Sequence, residues 1–151
     1  MRERSDPPSP EHPLTGACLC GGVRFEITAP LLQARYCHCT HCQRRTGTAS
    51  SAQARVAREA LSLSAGRDLL RSFTPEGGRP KIFCSRCGSS VFSGNLDSDE
   101  PVGVRFGVLD EDPGVRPAAR AYVRSAALWE PLPDDGLPRY EGAQPPSGAR
   151  T

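Results

Sequence analysis

At 151 residues the chain has the length of one domain, enough to bury a core without covalent staples. Only 37% of it is hydrophobic, and 15 prolines with 15 glycines imply many turns and short elements. A net charge of +2 is too small to mark a partner of nucleic acid or of a membrane surface, and seven cysteines, an odd number, exclude a complete disulfide framework within one chain.

Residues 1–12, MRERSDPPSPEH, are charged and proline-rich and are expected as a disordered arm, with His12 in solvent. Residues 14–28 read as two strands around a turn at Gly21-Gly22. Val23, Phe25 and Ile27 alternate with Arg24, Glu26 and Thr28, the period of a half-buried strand. A short strand over 31–36 leads into the cysteine-rich stretch, and QRRTG at 43–47 reads as a turn. Weak alternation over 48–56, then short strands over 60–64 and 69–73, precede a hairpin loop at 75–78. Residues 80–93 place Ile82-Phe83 and Val91-Phe92 as strands on either side of a Cys84–Cys87 knuckle closed by Gly88. Strands follow over 102–109 and 119–125, separated by an acidic loop tip at 110–112. Trp129 reads as a packing anchor, residues 131–140 as an extended segment, and 143–151 as a disordered tail. No long helical period is present, so the expected class is mainly β.

The chemistry concentrates in the cysteines. They fall in three groups, Cys18-x-Cys20, Cys37-x-Cys39-x-x-Cys42 and Cys84-x-x-Cys87, with none elsewhere. Thiolates this close repel unless a cation sits among them, and Zn²⁺ is the usual soft partner. Four plus three points to one closed four-thiolate site and one open three-thiolate site, the latter leaving a tetrahedral ion one free position. Spacing leaves a second pairing open, with Cys39 and Cys42 joining Cys84 and Cys87 as a ribbon and Cys18, Cys20 and Cys37 left over. No apolar run approaches the ~18 residues of a membrane span, and no apolar leader opens the chain. The expected compartment is a reducing cytoplasm, where such cysteines serve metal binding or catalysis.

Taken together, C-x-C-G-G-V at 18–23, C-H-C-T-H-C-Q-R-R-T-G at 37–47 and F-C-S-R-C-G-S at 83–89 resemble the glutathione-dependent formaldehyde-activating enzyme family, which includes the centromere protein V relatives. Val108-Leu109-Asp110, Tyr122-Val123, Ser125, Trp129 and Leu137-Pro138 are similar to its C-terminal half. The resemblance implies a β-tent fold of short twisted antiparallel sheets with zinc knuckles over residues 13–142. It implies that Cys18, Cys20, Cys84 and Cys87 hold a structural zinc, and that Cys37, Cys39 and Cys42 hold a catalytic, labile one. A departure falls at Arg120-Ala121, where many relatives carry a histidine and a larger apolar residue.

The activity so implied is that of a carbon–sulfur lyase joining the glutathione thiol to formaldehyde as S-hydroxymethylglutathione. An open three-thiolate zinc suits it, because a bound thiol is held as thiolate at neutral pH. His41 is the candidate proton carrier, and Arg44 and Arg45 are candidates to pair with the carboxylates of glutathione. His38, between two ligands, is a candidate supporting donor or substitute ligand. The rival readings are a zinc-stabilised module recruiting a protein partner without turnover, a same-fold enzyme on another thiol or aldehyde, and iron–sulfur ligation.

Overall fold

The structure is a computed structural model and describes residues 1–146. Two sheets form the body. Strands β1 (Leu14–Ala17), β2 (Arg24–Ile27) and β5 (Leu61–Ala65) make an antiparallel sheet in the order β1-β2-β5. The larger sheet has eight strands in the order β11-β10-β3-β4-β9-β8-β7-β6. Its members are β3 (Leu32–Cys37), β4 (Ser51–Val56), β6 (Leu70–Phe73), β7 (Lys81–Cys84), β8 (Ser90–Ser93), β9 (Val102–Arg105), β10 (Arg120–Ala121) and β11 (Arg139–Tyr140). Its pairs are antiparallel except at one edge, where β10 runs parallel to both β3 and β11. The protein is mainly β, and the sheet is mixed rather than wholly antiparallel.

The alternation in β2 does what the sequence requires. Val23, Phe25 and Ile27 are buried, and they share one apolar cluster with Val56, Ile82, Phe92, Val102 and Val104 of the larger sheet. The Phe25 and Phe92 rings meet edge to face at 4.9 Å between centroids. Each ring contributes about 2 to 3 kcal/mol by leaving water. Gly16 on β1 is what lets Phe25 lie flat there, since a β-carbon at Gly16 would fall inside that ring.

Four expectations change. Residues 43–47 are not a turn but the end of a helix, α1 (Thr40–Thr46), seven residues long with only Cys42 buried. The strand expected over 102–109 stops at Arg105 and continues as a 3₁₀ turn over Phe106–Val108, and the one expected over 119–125 is two residues followed by a 3₁₀ turn over Val123–Ser125. Trp129 is not a packing anchor: it is 71% exposed, on an irregular stretch that Pro131 and Pro133 keep out of either sheet.

Residues 1–12, expected as a free arm, lie against the body. The Arg4 guanidinium donates to Glu111 at 2.8 Å and to the carbonyls of His12 and Pro13, and the Arg2 backbone pairs beside Glu111, its carbonyl accepting from the Asp112 N–H at 2.9 Å. The acidic loop is spoken for residue by residue: Asp110 accepts from Thr15, Glu111 from Arg4 and Asp112 from Arg116. The tail expected over 143–151 passes beyond the described residues at 147. No helix among the described residues is long and apolar enough to cross a membrane.

Candidate metal centres and the site between them

The Cys18–Cys20 turn joins β1 to β2 in the small sheet, and the Cys84–Cys87 knuckle joins β7 to β8 in the large one. Folding brings the four sulfurs within 4.8 Å of one another, so one ion would tie the two sheets together. Backbone geometry prepares the site. The Val23 N–H donates to Cys18 Sγ at 3.3 Å, and Gly21 N–H to the Cys18 carbonyl at 2.9 Å. Gly88, at φ 77°, returns its N–H to the Cys84 carbonyl at 2.8 Å, a backbone shape that favours glycine. Cys87 accepts from Ser89, which holds its thiol down to about 5.

Cys37, Cys39 and Cys42 form the second cluster, their sulfurs also within 4.8 Å. Cys37 ends β3, opposite Ser51 at the start of β4. Cys39 is the N-cap of α1, its sulfur accepting from the Cys42 N–H at 3.4 Å, and Gly47 ends the helix at φ 69°. A helix so short is fixed by its caps and its one buried cysteine, not by an amphipathic period. The structure thus selects the four-plus-three grouping over the alternative ribbon. None of the seven cysteines is in a disulfide.

The two donor sets fit soft metals. Within the three-cysteine cluster the Cys42 thiol is pushed far down by hydrogen bonds from Cys37 and Cys39, helped by Ser51 and the Arg105 charge. Cys37 is pushed far up because it donates to its neighbours and is buried. Opposite shifts on two thiols so close together mark a place where a cation would be welcome among the sulfurs. His38 does not join the sulfurs. It is buried, and its Nε2 lies 3.3 Å from Arg120 Nη1. A guanidinium can only donate, so Nε2 accepts and the proton is assigned to Nδ1. Burial and the Arg120 charge push the imidazole down, keeping it neutral.

Arg120 is tied on three sides: to Asp135 at 2.6 and 3.0 Å, to His38, and over the Tyr36 ring at 4.5 Å. His41 and Arg44 lie on α1 and line a cavity of about 410 Å³ with Arg45, Lys81 and the apolar faces of Phe73 and Phe83. Arg44 is exposed; Arg45 is drawn inward, its Nη2 donating to the carbonyls of Ile82 and Phe92 at 2.6 and 2.7 Å. Burial pushes Arg45 down to about 9, and Lys81 is lowered for the same reason.

Sequence reasoning missed four residues here. Gln43 donates from Nε2 to the carbonyl of His38 at 2.7 Å and of Ser125 at 2.6 Å, holding the ligand loop to the turn after β10. Lys81 and Arg105 bring positive charge towards the thiols. Ser51 hydrogen-bonds Cys42. Arg105 occupies the outward phase of an alternating strand, which reads as solvent, yet it is 5% exposed because α1 and its flanking loops cover that face. Gln43 and Arg105 had no local sequence signal.

Fold and sites together define a mainly β protein with one cluster of four cysteines and one of three, each of which could hold a metal ion. A family model described as glutathione-dependent formaldehyde-activating enzyme matches residues 13–125, and the chain belongs to that family. A crystal structure of a Rhodobacter sphaeroides protein is similar, with 26% identity and a TM-score of 0.51, covering 84% of this chain and 99% of that one. No curated protein matches the chain.

Proposed function

We propose that the protein is a zinc-dependent carbon–sulfur lyase that makes and breaks the bond between a small thiol and formaldehyde, with glutathione the thiol that the family points to. The observation that carries this reading is the three-sulfur cluster Cys37, Cys39 and Cys42, one ligand short of a closed site, with His41, the neighbour of Cys42 on α1, on the wall of a cavity. Zinc bound there would supply an open position at which an incoming thiol is held as thiolate. Cys18, Cys20, Cys84 and Cys87 would hold the second ion, in a structural role.

In the reaction the glutathione sulfur bonds to the formaldehyde carbon, the C=O π pair moves to oxygen, and that oxygen takes a proton to give the hydroxymethyl group. His41, on the cavity wall, carries that proton. Lys81, half-buried on the same wall, favours negative charge building on the aldehyde oxygen. Phe73 and Phe83 make one side of the cavity apolar, and exposed Arg44 meets a carboxylate of the tripeptide at the mouth. His38 and Arg120 act on the ligand loop instead, where the neutral ring, fixed by the guanidinium, sets the stretch that carries Cys37 and Cys39. The reaction belongs in a reducing compartment such as the cytoplasm, where the seven thiols stay free.

The test is exchange spectroscopy by NMR on glutathione, formaldehyde and their adduct at equilibrium. The zinc-loaded protein is expected to accelerate exchange over the uncatalysed rate, and Cys42→Ala to abolish the acceleration. Exchange at the uncatalysed rate with both centres filled would leave the recruiting module as the better reading.

A further inference from the structure

Buried polar atoms without partners are rare in folded proteins, and each demands a reason. Among the described residues, three of them belong to side chains that line the same cavity. Arg45 Nη1, Ser90 Oγ and Arg105 Nε are buried without a protein partner, and all three residues line one cavity of about 360 Å³. Ser51 and Gly88 complete its wall. Arg45, Gly88 and Ser90 also line the larger cavity beside α1, so the two spaces adjoin.

Charge points the same way. The salt bridges among the described residues are Arg4–Glu111, Arg67–Asp97, Arg116–Asp112 and Arg120–Asp135, so neither Arg45 nor Arg105 has a carboxylate partner. Three thiolates with a divalent ion leave one negative charge, and a thiolate ligand adds a second. Arg45, Arg105 and Lys81 together bring three positive charges to this region. One cation remains unbalanced, and an unpaired buried charge is costly.

We propose that the Arg45–Ser90–Arg105 cavity is an oxyanion subsite that takes a carboxylate of the thiol ligand while its sulfur occupies the open position of the three-cysteine centre. The protein then selects thiols that carry a carboxylate a short chain away from sulfur. The inference rests on the thiol-binding reading above and adds the anchor that sets which thiols are accepted. Arg45 supplies Nη1 while Nη2 stays pinned to the Ile82 and Phe92 carbonyls. That pinning fixes the fork in advance, so little side-chain freedom is lost on binding.

The test is isothermal titration of the zinc-loaded protein with 3-mercaptopropionate and with 2-mercaptoethanol, thiols of similar size that differ in the carboxylate. Propionate, which has the carboxylate and no sulfur, is the third ligand. A charged hydrogen-bonding partner is worth about tenfold or more in affinity, so 3-mercaptopropionate is expected to bind at least that much tighter than 2-mercaptoethanol. It should also bind tighter than propionate, because both ends are held at once. Arg105→Gln is expected to bring the two thiols to within about threefold of each other, with zinc content and melting curve showing that it folds. If it does not fold, Ser90→Ala is expected to reduce the preference by about threefold. Equal binding of the two thiols to the wild type overturns the subsite and leaves the thiol centre standing. Failure of both thiols to bind overturns the thiol centre as well. Propionate binding as tightly as 3-mercaptopropionate overturns the coupling between the two ends.

Discussion

Gln43 offers a test of how the ligand loop is held. Its amide is a double donor, reaching the His38 carbonyl inside the Cys37–Cys39 loop and the Ser125 carbonyl across from it. Gln43→Ala removes both hydrogen bonds and leaves two part-buried carbonyls unpaired. At about 1 kcal/mol net for each bond and a further ~1 kcal/mol for each orphaned acceptor that water cannot fully reach, the cost is about 2 to 4 kcal/mol. It is charged to the geometry of one loop, not to the core, because neither partner belongs to the apolar cluster. Zinc affinity at the three-cysteine centre is therefore expected to fall about 10- to 100-fold, the usual effect of removing a group that orients a ligand. A graded chelator titration that resolves the two ions reads this directly. The four-cysteine centre, served by other backbone contacts, should be unchanged. Equal weakening of both centres, or of neither, would refute the idea that Gln43 acts through the loop.

The two centres should also separate by mutation. Cys84 is fully buried between the sheets, and Cys84→Ser is expected to cost soluble folded protein, whereas Cys39→Ser should leave a folded chain with one zinc instead of two and the α1 cap retained, since serine is itself a favoured N-cap, read by metal analysis and melting. Gly16→Ala drives a methyl into the Phe25 ring and should lower stability by about 1 to 3 kcal/mol in urea melts. Arg120 holds Asp135 below the ordinary carboxylate range, so that pair contributes stability above the unfolded value near 4 and loses it as pH falls through the lower folded value. Melting temperature measured from about pH 5 downward should therefore fall less steeply in Asp135→Asn than in the wild type.

How much of this is legible in the sequence depends on where the cause of each feature lies. The strand at 23–27 is legible because burial on one face imposes alternation, and Val23, Phe25 and Ile27 show it. The cysteine groups are legible because metal ligation constrains residue type and spacing within a few positions. Their grouping into four and three is suggested by counting and settled by the fold, since only the packing of one sheet on the other brings the β1–β2 turn to the β7–β8 knuckle. Helix α1 is hidden because its apolar face is a single cysteine, and its boundaries are set by the Cys39 cap and Gly47. The burial of Arg105 and Arg45 is hidden because sequence shows a charge but not what covers it. Trp129 misleads for the opposite reason: a large aromatic reads as core, and the prolines after it place it out of the core's reach. The edge pair of β3 with β10 joins residues 36–37 to residues 120–121, and no local pattern announces a pairing of two residues so far apart.

The central claim is that the three-cysteine centre binds zinc with one position open to an exogenous thiol. Zinc per chain, measured on protein purified under reducing conditions and then challenged with a chelator in the presence and absence of glutathione, addresses it most directly. The account predicts two ions, one of them lost to the chelator and retained when glutathione is present. A single tight ion indifferent to glutathione even after zinc is resupplied would contradict it and leave the four-cysteine site as the only metal centre.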